Sequence, residues 1–207
     1  MSRSPDIDRD ALLRRALGLE YLTVGWNVVE GVVSITAAMA AGSVVLLGFG
    51  IDSFIESASG GVLVWRLLAE RRASDPERVD AIELRARRLV GASLFALAGY
   101  LAVDATISLV QEERPEASAV GIAVTSLSLA VMWWLARAKR DAARRLGSRA
   151  LMADAFQTTA CWWLSLLAVA GLLVNQVAGW WWADPVAAIG AAYFIGREGV
   201  HAWRGDD

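Results

Sequence analysis

Six apolar stretches, each long enough to cross a bilayer as a helix, take up most of this 207-residue chain: roughly Leu19–Ala40, Ser43–Leu67, Leu89–Val110, Ala117–Ala136, Leu151–Val174 and Trp180–His201. A hydrocarbon core takes about 20 helical residues to span, and a chain crossing it must satisfy its backbone within helices or a closed barrel. Hydrophobic residues make up 56% of the sequence and come in blocks rather than alternating stripes. The expectation is an all-α polytopic membrane protein, a bundle of six transmembrane helices.

The distribution of positive charge sets the expected orientation, because cytoplasmic connections carry the excess Lys and Arg. The N-terminal tail has four (Arg3, Arg9, Arg14, Arg15) and residues 66–88 have seven. Residues 137–149 have six, and the chain end has Arg197 and Arg204. Arg114 alone falls in an opposite connection, so nineteen of the twenty lie on one side. Both termini are expected in the cytoplasm, with residues 1–18 a cytoplasmic tail, 19–203 the membrane domain and 204–207 a short second tail. The basic connections answer to topology and anionic lipid, and nothing points to nucleic acid. The N-terminus is polar to Arg15 and lacks the look of a signal peptide. A single cysteine, Cys161, excludes an internal disulfide framework.

Within the apolar blocks, GFGIDSFIESAS (48–59) sets Asp52 and Glu56 four residues apart, hence on one helix face. Ionisable groups at bilayer depth are costly unless they meet a partner, water or an ion, and mark functional sites by default. Glu30 is expected at a similar depth, either joining them or pairing with Asn27 or a neighbouring hydroxyl. In SRALMADAFQTTACWWL (148–164), Asp154 is one turn from the basic side, and Gln157 and Cys161 share a face deeper in. Cys161 reads either as a ligand or as a small buried hydrophobe. Asp104 lies toward the outer end of the third block, and Asp184-Pro185 opens the last. The fourth block, with Thr125, Ser126 and Ser128, reads as helix packing, residues 69–88, interrupted by Asp75-Pro76, as an inner loop continuing into a solvated helical extension of the third block, and Trp180–Trp182 as an interfacial anchor. The sole histidine, His201, is too near the inner end to join the midplane groups.

Two helices offering Asp52 with Glu56 and Gln157 with Cys161 resemble the way bundles build metal sites in their cores. Carboxylates, an amide oxygen and a sulfur suit zinc or a similar transition metal more than calcium or magnesium. Ion binding by close carboxylates would release protons, which makes proton exchange the expected drive for transport. No nucleophile elbow, phosphate loop or zinc-protease helix is present, so an enzyme is not expected.

These residues resemble the membrane domain of the cation diffusion facilitator family, divalent-metal/proton antiporters with six spans. Asp52-Ser53-Phe54-Ile55-Glu56 matches that family's Asp-Ser-x-x-Asp, with Glu for the second Asp. Ala150-Leu151-Met152-Ala153-Asp154-Ala155-Phe156-Gln157 through Cys161 lies along its fifth-span pattern, with Gln157 and Cys161 where His or Asp and Asp are usual. Trp182-Ala183-Asp184-Pro185 matches the usual start of the sixth span. The likeness covers roughly residues 12–203. It implies metal efflux in exchange for protons through Asp52, Glu56, Gln157 and Cys161, with Glu30, Asp104, Asp154 and Asp184 as candidates along the ion path. The metal is substrate, with no resident cofactor. Because the chain ends directly after the sixth span, a homodimer would be held by membrane helices, and composition suits a bacterial inner membrane. The alternative is a metal-binding or scaffolding membrane protein that kept the fold without transporting.

Overall fold

The computed structural model describes residues 5–41, 44–72, 75–112 and 119–204. Among these, all ordered structure is helical, in six helices: α1 (Pro5–Ala41), α2 (Val44–Arg72), α3 (Pro76–Gln111), α4 (Ala119–Leu146), α5 (Arg149–Ala178) and α6 (Ala183–Arg204). Leu19–Ala40, Leu89–Val110 and Leu151–Val174 fall within α1, α3 and α5, and the described parts of the other blocks fall in α2, α4 and α6 except Trp180–Trp182, which precede α6. The helices pair as α1 with α2, α3 with α6 and α4 with α5, and α5 also packs on α2, α3 and α6. By length and composition, one helix among the described residues, Pro76–Gln111, is long and apolar enough to cross a membrane.

Beside an apolar core that includes Leu63, Leu67, Leu94, Leu97 and Leu135, the interior holds stripes of buried polar side chains. On α1, Glu20, Thr23, Asn27, Glu30 and Ser34 follow a three-then-four spacing that keeps them on one face, and all five are buried. On α2, Ser53, Glu56, Ser59 and Arg66 are buried, as are Asp154, Gln157, Thr158, Cys161 and Ser165 on α5. The outward faces carry Val28, Val29, Val32, Val33, Trp65, Phe95, Trp133, Trp134 and Trp163, all exposed. Apolar area left in water costs about 25 cal/mol per Å², so this inside-out pattern suits a surround of lipid.

The 137–149 segment is mostly helix rather than the inner loop expected of it, and 76–88 forms the expected helical extension of the third block, with Ile82 and Ala86 buried. Residues 137–146 continue α4, and Lys139, Ala142, Ala143 and Leu146 turn inward at helical spacing. Gly147, at φ 66°, ends that helix in a conformation open to glycine. Residues 76–88 are the first turns of α3, begun by the Asp75 cap on Glu77 N (3.1 Å) and by Pro76. α1 starts at Pro5, before Asp10. Asn175 does not break α5, which runs on to Ala178 and stops before Gly179 at φ 70°. Trp180 and Trp182 are exposed and stacked at 5.8 Å. The expected tight turn at Gly42-Ser43, the Arg114 connection and the side chain of Asp184 lie outside the described residues.

Candidate functional site

Three polar layers cross the bundle. At 1.5 Å per residue, they descend along α2 from Glu70 through Ser59 to Asp52, and along α5 from Ser148 through Asp154 to Cys161.

The layer at the basic end is centred on Glu83 of α3. Its carboxylate accepts from Arg66 Nε (2.6 Å), Ser148 Oγ (3.1 Å) and the backbone N–H of Ala150 (2.7 Å) at the start of α5. Arg66 also pairs with Glu70 at 2.6 Å, and Glu70 in turn with Arg9 of α1. Arg66 and Glu70 are both buried. This segment is therefore a clamp joining α1, α2, α3 and α5, where the sequence suggests a solvated face. A Glu one turn above an Arg, as Arg66 and Glu70 are, is the available hint.

The second layer holds a buried ion pair that the sequence conceals. Lys139, grouped by sequence with the basic connection, is fully buried. Its Nζ lies 2.6 Å from Asp154 Oδ2 and 3.0 Å from Glu20 Oε2. Ser59 Oγ donates to Asp154 Oδ1 at 2.8 Å. Asp154 thus sits inside the bundle, tied to α2 and α4, rather than open at its mouth. Burying two acids and one ammonium is costly in a low dielectric, and the cost is met when each charge has close partners.

The third layer contains the residues singled out from sequence. Asp52 and Glu56 of α2 face Cys161 of α5, whose thiol is within hydrogen-bond reach of both carboxylates. Thr158 links this layer to the second, since Lys139 Nζ donates to Thr158 Oγ1 (3.5 Å) and Thr158 reaches Glu56. Glu30 accepts from Ser53 Oγ at 3.1 Å, the neighbouring-hydroxyl pairing, and remains electrostatically coupled to Glu56 and Asp52. Gln157 is turned toward α3, where Ser93 Oγ donates to its Oε1 at 2.9 Å. Asp104, on α3, interacts with Tyr100 and lies apart from this group in chain position. Among the described residues, no three His, Cys, Asp or Glu side chains form a ready-made metal site.

Several buried polar atoms in these layers have no hydrogen-bond partner among the described residues: Asn27 Oδ1 and Nδ2, Glu30 Oε1, Asp52 Oδ1, Glu56 Oε1 and Gln157 Nε2. Buried polar groups are nearly always satisfied, so a row of exceptions marks a place built for water or an ion. The row holds three carboxylate oxygens and an amide oxygen beside two amide nitrogens, so acceptors outnumber donors.

The sequence matches the cation efflux transmembrane domain family over residues 21–204. A protein of Synechocystis sp. (strain ATCC 27184 / PCC 6803 / Kazusa), described as an uncharacterized transporter, is 30% identical over 198 residues. The aligned region covers 92% of this chain and 63% of that relative, so the chain spans less than two thirds of the relative's length.

Proposed function

This chain belongs to the cation efflux family, and from that premise we propose that it is a six-span transporter moving a divalent metal cation in exchange for protons. Family members are membrane proteins that transport cations rather than enzymes, which is the frame for the site chemistry. In this reading Asp52 and Glu56 bind the ion, Cys161 adds a soft sulfur ligand, and Gln157 completes the set after giving up Ser93. Glu30 supplies negative charge beside them. Zinc or a similar transition metal fits the oxygen and sulfur donors. The observation that carries the proposal is the pair of buried carboxylate oxygens, Asp52 Oδ1 and Glu56 Oε1, left unpaired one turn apart on α2.

The polar stripe of α1 continues past Asn27 to Glu30 and Ser34, supplying oxygens along one line. An ion carrying two positive charges would offset Asp52 and Glu56 together, and loss of that ion would favour proton uptake by the same carboxylates. Both termini on the cytoplasmic side, a homodimer held by membrane helices and residence in a bacterial inner membrane belong to the same proposal. Metal uptake into proteoliposomes under an imposed pH gradient, compared with Asp52→Asn, tests it. Gradient-dependent uptake lost in the variant supports the transporter; no flux from folded, inserted protein leaves a metal-binding or scaffolding role.

A further inference from the structure

Lys139 is the basic residue of this molecule placed deepest among acids. It is on α4, fully buried, and reaches across to α1 and α5 at once. Ser59 lies three residues from Glu56 on α2, about 4.5 Å along the axis, and Ser59 and Lys139 share Asp154. The ammonium therefore sits about one turn from Glu56 and about two turns from Asp52 and Cys161, on the side of the basic helix ends. Thr158 bridges the two layers.

Two features separate this from an ordinary structural ion pair. One ammonium is shared, lying 2.6 Å from Asp154 Oδ2 and 3.0 Å from Glu20 Oε2, and neither Glu20 oxygen has a hydrogen-bond partner among the described residues. The polar stripe of α1 also runs unbroken through this layer, from Glu20 past the unpartnered Asn27 to Glu30. The ammonium lies on this stripe between the basic helix ends and Glu56. Lysine suits a removable occupant, being a compact charge on a flexible four-carbon stem, whereas arginine would lock into a fork.

We propose that Lys139 is a tethered cation that plugs the inner end of the acid path between Glu20 and Asp154, so that a metal ion reaches Asp52 and Glu56 from that side only by displacing it. The proposal deepens the transport reading and rests on it. Its test uses the sole cysteine, Cys161, as a reporter beyond the plug. Purified protein in detergent is treated with two small methanethiosulfonates, cationic aminoethyl and neutral methyl, and the two rates at Cys161 are compared. With the ammonium gone and its acids exposed to the path, the cationic-to-neutral rate ratio in Lys139→Met should rise at least about tenfold, the scale expected for removing a close like charge. Should that variant fail to fold, Lys139→Gln removes the same charge while keeping a polar side chain and should show the same rise. General loosening speeds both reagents and leaves the ratio where it was. An unchanged ratio in either folded variant overturns the plug. Because modification is read without ion flux, that result is separate from any failure of the transport reading.

Discussion

Replacing Glu83 with alanine should weaken the whole basic end of the bundle. The variant loses a charge-assisted bond from Arg66 Nε at 2.6 Å and a bond from the Ala150 N–H at 2.7 Å. Each bond to a charged group contributes about 1.5–3 kcal/mol. Arg66 keeps Glu70 at 2.6 Å, so no buried charge is stranded. The Glu83 side chain is 21% exposed, which lets water replace part of what is lost. A net cost of about 3 kcal/mol follows from these terms. For a chain of this size each kcal/mol moves Tm by about 2–4 °C, giving a fall of about 6–12 °C. Thermal unfolding in detergent micelles, followed by intrinsic tryptophan fluorescence, measures it. Glu83→Gln keeps an oxygen for the Ala150 N–H and should show about half the loss. A Tm for Glu83→Ala within about 2 °C of wild type, less than one such bond should give, would refute the clamp as a fastening of α5 to α2 and α3.

Two further outcomes follow from the packing. Lys139→Met leaves Glu20 and Asp154 buried without their cation and should cost about 3–5 kcal/mol, while adding Asp154→Asn should recover at least about half of that; the same melting assay reads both, and no recovery would contradict the pairing. Gly91 lies where α3 meets α6, and a Cβ there would stand 3.2 Å from both Gly199 O and Trp203 N. Since both neighbours are backbone, Gly91→Ala should destabilise by about 1–3 kcal/mol, and an unchanged Tm would mean the helices part more easily than their spacing implies.

The six helices were legible because apolar length and punctuation act locally: Asp75-Pro76 and Gly179 mark ends by their own backbone chemistry. Asp52, Glu56 and Cys161 were legible because spacing of four within an apolar run is itself a statement about a face. Lys139 and Glu83 were not. Both lie in segments dense with Arg and Glu, where composition gives one answer for every residue, and only the packing of α4 against α5 and α3 against α2 sorts buried charge from exposed. The helical spacing of Lys139 with Ala142, Ala143 and Leu146 is the signal that sets it apart. Gln157 shows the opposite limit, since its shared face with Cys161 is visible in sequence but its bond to Ser93 is a tertiary fact.

The most direct test of the account is metal flux into proteoliposomes carrying purified protein, with zinc, manganese, iron(II), cobalt and cadmium offered in turn under an imposed pH gradient. The account predicts uptake of at least one metal that follows the gradient and is abolished in Asp52→Asn, with Cys161→Ser changing the order of metal preference toward harder ions. Gradient-driven uptake that persists unchanged in Asp52→Asn would contradict the assignment of the site, and no flux for any metal from folded, inserted protein would contradict transport itself.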